Sequence, residues 1–233
     1  MEDLEDTHWW YAARRKIICQ TVKGFVANNS DVLDFGSGSG GIAKALSADG
    51  YKVVAADVSA EALAACRDAG LDTVDLETAW PAAKSADCIL ACDVLEHVEE
   101  DVALLQKLRV ALRPNGLLIA TVPAYDFLWS GEDYISDHVR RYKRSLLQRR
   151  VREAGFSIER SSYFNTLLLP LITAVLFYKR LFRPREMYVS DVKPLPPWQN
   201  KILYTIFSAE RFILPRWDFP LGASLLVVAR NGM

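Results

Sequence analysis

Short runs of aliphatic and β-branched residues recur along the first part of the chain, at 31–35, 52–57, 71–75, 86–92 and 116–122. Near-continuous apolar runs of this length suit strands of a sheet buried on both faces. Between them the apolar positions change to helical spacing over 40–48, 59–69 and 99–112. In the third of these, Leu104, Leu105, Leu108 and Leu112 form one apolar face, and Pro114, Asn115 and Gly116 stop the helix and turn into the next strand. Ser59 predicts a simple N-cap without a capping box, because Ala62 stands where Glu would be needed. This alternation of strand and helix predicts an α/β fold with a mostly parallel sheet. Ahead of the first strand, Trp10, Ile17, Val22 and Phe25 predict an amphipathic helix lying over the sheet's edge or its ligand crevice.

After Gly155 the pattern changes. A sixth strand is predicted over 156–163 and a last one over 223–230, with some sixty residues between them. Two helical segments, around 167–182 and 198–214, are joined there by Lys193, Pro194, Leu195, Pro196 and Pro197, so the stretch reads as a helical insertion and not as a loop. Eighteen uncharged residues, 161–178, touch the lower bound for a membrane-spanning helix. Asn165, Thr166, Pro170 and Thr173 interrupt them, and the sixth strand needs their beginning. The basic cluster Lys179, Arg180, Arg183 and Arg185 follows, which suits a peripheral membrane contact through 164–185. The favoured reading is a cap with its own core, built with Ile202, Leu203, Ile206, Phe207, Ile213 and Leu214. Either way an apolar or amphiphilic substrate chamber is expected.

Composition narrows the function classes. Twenty-eight Lys and Arg stand against 29 Asp and Glu among 233 residues, which gives no electrostatic footprint for nucleic acid. A chain of this size needs no disulfide or structural metal for ordinary stability. Cys19, Cys66, Cys88 and Cys92 form no CxxC pair and no Cys/His cluster, and Cys88 and Cys92 would lie about 13 Å apart along a strand, too far to bridge. Reduced thiols, no metal site and a cytoplasmic location are expected. The acidic start, Met1 to Asp6, lacks the basic and apolar regions of a secretory signal. A mean hydropathy of +0.04 is high for such a chain. Much of the excess is local, since 14 of the 22 residues over 161–182 are apolar.

The chemistry concentrates in Val32-Leu-Asp-Phe-Gly-Ser-Gly-Ser-Gly-Gly41, a strand entering a glycine-rich turn and then a helix. It fits GxGxxG through Gly36, Gly38 and Gly41 as well as GxGxG through Gly36, Gly38 and Gly40. Asp57, at the end of the second strand, is placed to take both hydroxyls of a ribose. Charge separates the candidate ligands. Asp34, two residues before Gly36, would repel a pyrophosphate at the helix N-terminus but would favour the cationic ammonium and sulfonium of S-adenosylmethionine (SAM). An NAD(P)-dependent oxidoreductase remains the alternative that the glycines allow.

These residues resemble the class I SAM-dependent methyltransferases, in particular a small-molecule, type 11-like subgroup. The resemblance rests on DFGSGSG at Asp34 to Gly40, AADVS at Ala55 to Ser59, Asp75, CDVLEHV at Cys92 to Val98 and LRPNGLLIATVPA at Leu112 to Ala124. It implies a Rossmann-like seven-stranded sheet of order 3-2-1-4-5-7-6 with the last strand antiparallel, helices on both faces, and a helical insertion before that strand. A single domain is implied, with 1–30 as a lid, 31–163 as cofactor core, 164–218 as cap and 219–233 as final strand. Carried over, Gly36, Ser37, Gly38 and Gly40 line the methionine part and Asp57 with Val58 meets the ribose. Asp75 and Leu76 flank the adenine, and Cys92 and Asp93 face the amino acid and methyl, with His97 in cofactor contact.

HWWYAARR at His8 to Arg15 and VPAYDFLWSGEDYISDHVRRY at Val122 to Tyr142 resemble a narrower bacterial set associated with surface-glycan and lipid pathways. In this reading Trp9, Trp10 and Tyr11 close over the cofactor while Arg14 or Arg15 neutralises its carboxylate. His138 and Tyr142 are the catalytic candidates. Tyr125, Asp133, His138, Arg140 and Arg141 are the substrate-binding candidates on carboxyl-end loops. The expected activity is methyl transfer to a small, lipid-linked or glycan-related acceptor. A protein binding SAM for another transfer, or for none, is the further alternative.

Overall fold

The computed structural model describes residues 7–190 and 192–232. A helix α1 (Trp9–Phe25) precedes β1 (Asp31–Phe35), α2 (Gly41–Ala48), β2 (Lys52–Asp57), α3 (Ala60–Asp68), β3 (Asp72–Asp75), β4 (Ala86–Cys92), α4 (Asp101–Ala111) and β5 (Leu112–Pro123). There follow α5 (Gly131–Ile135), α6 (Arg144–Glu153), β6 (Phe156–Phe164), α7 (Leu169–Phe182), α8 (Pro197–Ile213) and β7 (Ser224–Asn231). The strands form one sheet in the order β3-β2-β1-β4-β5-β7-β6, with β7 antiparallel to both neighbours. This is the expected topology.

Successive residues of the central strands point to opposite faces, and each face carries its own core. Val32, Leu90, Ile119 and Val228 pack with α1, α2 and Phe207 of α8. Leu33, Ile89, Leu118 and Val227 pack against α4 and α6. Period-two side-chain direction thus explains why these strands are apolar on both sides. Ser59 caps α3 by accepting from the Ala62 amide, and all four cysteines are buried and free.

Two features differ from the periodicity. The α4 helix passes directly into β5 at Leu112, because Leu112 already pairs with Ala86 across a register irregularity before Gly116 is reached. Asn115, with φ of 64°, makes the turn within that irregular stretch. The short α5 carries too few turns to show a period. It is set instead by the Ser130–Asp133 capping box.

The insertion is pinned to the sheet by one carboxylate. Glu210, fully buried in α8, accepts from the amides of Asn165, Thr166 and Leu167 at 2.7, 2.7 and 2.9 Å, where the chain leaves β6. Glu210→Ala leaves three amides without this acceptor and should cost about 3 kcal/mol. Urea unfolding checks the loss, and limited proteolysis should find the first cleavages between 165 and 221.

Candidate active site

At the carboxyl end of β1 the turn is shaped by backbone contacts. The Gly36 and Ser37 amides donate to the Ala56 carbonyl at 2.8 and 3.1 Å. Gly36 sits at φ +74°, and a Cβ there would come 2.5 Å from Val94 Cγ2. Gly38 (φ +52°) faces open space, so its backbone is accessible to a ligand. The Gly38 and Ser59 amides donate to the two oxygens of Asp57 at 2.8 and 2.9 Å, fixing that carboxylate beside the turn. Across the sheet Asp57 pairs in register with Asp75, whose Oδ1 accepts from the Glu77 amide at 2.9 Å. Val58 is exposed and Leu76 half-buried along the same edge.

A cleft of about 140 Å³ lies between this turn and α1, lined by Tyr11, Arg15, Asp34, Ser37, Gly38 and Cys92 among others. Asp34 is buried and its Oδ2 has no partner. Burial pushes its carboxyl up to about 7, against the pull of Arg14 and the Ala43 amide. An orphaned, buried acid in a cleft is a group waiting for a cationic or hydrogen-donating ligand.

A second, larger chamber of about 620 Å³ adjoins it, and Tyr11 and Arg14 line both. The partition between them is a buried network. Arg14 Nη2 lies 2.8 Å from Asp93 Oδ2 and donates to Thr121 Oγ1 at 3.1 Å, while the Thr121 hydroxyl donates to Asp93 Oδ1 at 2.9 Å. The chamber's polar end carries Asp93, Glu96, His97, His138 and Arg141, and α7 supplies an apolar wall through Leu171, Ile172, Val175 and Leu176.

His138 is held at this polar end by Asp133, whose Oδ1 lies 2.8 Å from Nδ1. Arg141 clasps the same carboxylate through Nε at 2.7 Å and Nη2 at 2.6 Å. Burial pushes the Asp133 carboxyl up, but hydrogen bonds from His138 and Arg141 outweigh it and hold the group at about 2. The His97 ring stands perpendicular to His138 with centroids 4.7 Å apart, and burial, followed by His138, lowers its pKa. Glu96 is fully buried with both carboxyl oxygens unpartnered; burial and then Asp93 raise it well above the usual range. The donor atoms of Glu96, His97 and His138 lie within 4.8 Å of one another, a spacing that can share a proton or hold a cation. No ligand spacing is visible along the chain because these side chains come from two distant loops.

The structure corrects several sequence expectations. Tyr142 is fully buried, its hydroxyl 2.9 Å from Asp101 Oδ2 and 3.1 Å from the Leu95 carbonyl, so it ties β5's loop to α4 and touches neither cleft. Arg140 is spent on the Val98 and Glu99 carbonyls and on Asp101 instead of a substrate. Tyr125 is stacked on Phe127 and Tyr163, away from the chamber lining. Asp133, buried beneath His138 and Arg141, acts through them and does not face a substrate itself. Trp9 and His97 line the chamber and not the cofactor cleft; Trp9 packs edge-on against Phe207, and its amide donates to Asn200. Arg14 lines both spaces and is paired with Asp93, while Arg15 Nη1 stands beside Gly41 in the cofactor cleft. Glu96 carries no signal of its own along the chain, although it stands beside His97 in the CDVLEHV motif.

The profile of a family described as a methyltransferase domain matches residues 9–161, which is more than half of the chain. The protein belongs to this methyltransferase family. This family match removes the oxidoreductase alternative, which the glycine turn by itself had left open. The ubiquinone biosynthesis O-methyltransferase of Actinobacillus pleuropneumoniae serotype 7 is 30% identical to this chain over 123 residues. That match covers 45% of this chain and 52% of the other, so the chain spans about half the length of the curated relatives it matches. Among solved structures, the Haloferax volcanii complex of the Trm112 methyltransferase activator with a methyltransferase shares the fold at a TM-score of 0.64, with 16% identity over 100% of this chain and 93% of that one. Phosphoethanolamine N-methyltransferase 2 of Haemonchus contortus, in complex with SAM, shares it at 0.57, with 17% identity over 94% and 52%.

Proposed function

We propose that the protein binds SAM in the cleft beside Gly38 and methylates a hydroxyl of a small amphiphilic acceptor, lipid-linked or lipid-like, held in the adjoining chamber. The observation that carries the cofactor half is the unpartnered, buried Asp34 oxygen facing the cleft, with Asp57 fixed nearby as a ribose acceptor. When bound, the cofactor supplies a methyl group already activated by its sulfonium. The protein's own residues then have to align the acceptor and exclude water. Residues 7–30 serve as the lid and 164–190 with 192–218 as the cap, the remainder of those two stretches, 1–6 and 191, lying outside the described residues.

His138, oriented through Nδ1 by Asp133, leaves Nε2 as the base that takes the hydroxyl proton. An oxygen acceptor is supported by the O-methyltransferase relative. The apolar wall of α7 favours an acceptor with an apolar tail over a bare glycan.

Calorimetry tests the cofactor half. Asp34 must be ionised to meet the cofactor's ammonium, and in the free protein it stands at about 7. Binding therefore releases a proton below that pH, and affinity for SAM should fall by up to roughly tenfold per pH unit below about 7 and level off above it. Asp34→Asn should bind weakly with a flat pH profile. Absence of binding at every pH would overturn the reading, and an unchanged profile in Asp34→Asn would remove Asp34 from it.

A further inference from the structure

The apolar surface of this protein is unevenly placed. Among the described residues, 16 of the 23 large hydrophobic side chains that are exposed fall between 167 and 221. On α7, Leu171, Val175, Tyr178 and Phe182 share one stripe by their spacing, and Leu181 and Phe182 are 71% and 69% exposed. Along α8, Trp198, Ile202, Ile206 and Ile213 form a second exposed stripe, while Phe207, Ser208 and Glu210 turn inward. Patches of this extent on a single chain mark an interaction surface.

Charge states what the surface meets. Residues 167–221 hold eight Lys or Arg against four Asp or Glu, a net +4 within a chain of net −1. The cations border the apolar stripes: Arg180 lies over Phe177, Arg183 over Tyr178 and Arg211 over Phe212, at 5.9, 5.9 and 4.3 Å. Aromatic rings edged by guanidinium groups suit the boundary between head groups and acyl chains. A second copy is a poor occupant, because a two-fold contact would set this positive face against itself. No helix among the described residues is long and apolar enough to cross a membrane, so such a surface would lie on the bilayer.

We propose that the exposed face of α7, with the basic residues that follow it, docks the protein on an anionic lipid bilayer. Leu171 and Val175 belong both to the exposed stripe and to the chamber lining, so the chamber opens on the docked face. An amphiphile can then pass from the bilayer along α7 toward His138 without leaving an apolar surface; this step rests on the acceptor reading above, whereas docking itself does not.

Vesicle co-sedimentation of the full chain tests it, using phosphatidylcholine alone and phosphatidylcholine with phosphatidylglycerol. The protein should sediment with the anionic vesicles, lose that binding as salt rises, and leave zwitterionic vesicles largely bare. Arg183→Glu with Arg185→Glu should weaken binding about tenfold or more, and Leu181→Glu with Phe182→Glu should abolish it. Both pairs are exposed, so circular dichroism and calorimetric SAM binding should stay as in the parent. No preference for anionic vesicles, or wild-type binding by the variants, overturns docking. A concentration-dependent dimer without lipid that Phe182→Glu dissolves assigns the face to self-association and overturns it too. Failure of SAM binding with vesicle binding intact counts against the methyltransferase mechanism alone.

Discussion

Replacing His138 by Gln should lower kcat by about 10²–10⁴ while leaving the dissociation constant for SAM essentially unchanged. The side chain lies on the chamber side, with its Nδ1 already committed to Asp133, so the remaining nitrogen is the one free to accept a proton. Gln is close in size and keeps a hydrogen-bonding group toward Asp133, which separates loss of the base from loss of the loop. Asp133→Asn, a change at a positioning residue, should reduce kcat less and leave KM nearly constant. Equal losses in SAM binding for the His138 variant would mean that the histidine supports the fold and not the reaction. A second control follows from the nearby Glu96 and His97. Activity abolished by EDTA and restored by magnesium would put a cation in this cluster and remove the base.

The parts that sequence alone revealed, and those it did not, follow from how each is encoded. Strands such as Asp31–Phe35 and Ala86–Cys92 are buried on both faces, so their runs are almost uniformly apolar and their limits stand out. The glycine turn is local as well, because positive φ at Gly36 and Gly38 is a property of single residues. Tyr142 and Arg140 misled for the opposite reason. They sit next to Arg141 in the chain, but they turn toward Asp101, forty residues earlier, and nothing in their own segment shows it. The Glu96–His97–His138 cluster was hidden in the same way. It forms only when the loop after β5 folds back onto the turn after β4, where the Val139 amide donates to the Glu96 carbonyl at 2.8 Å.

That folded loop is also where the largest loss of stability is expected. Asp133→Ala should destabilise the protein by about 3–5 kcal/mol, because it removes one partner of a buried ion pair and leaves the other uncompensated. Arg141, whose side chain is 11% exposed, would lose both its hydrogen bonds to the carboxylate, His138 would lose its anchor, and the Ser130 amide would lose its capping acceptor. The pairing predicts a pH signature. The Asp133 carboxyl is held at about 2 in the folded protein, below its ordinary 3.8. Its contribution is therefore present above about pH 4 and lost as the pH falls through about 2. Urea titrations at neutral pH and across that acid range should show the wild type losing about 2 kcal/mol more than the variant on acidification. Joint replacement by Asp133→Leu and Arg141→Leu should recover part of the loss, since no charge is then left buried alone. A variant as stable as the parent at neutral pH would show that water reaches Arg141 and that the loop is held by other contacts.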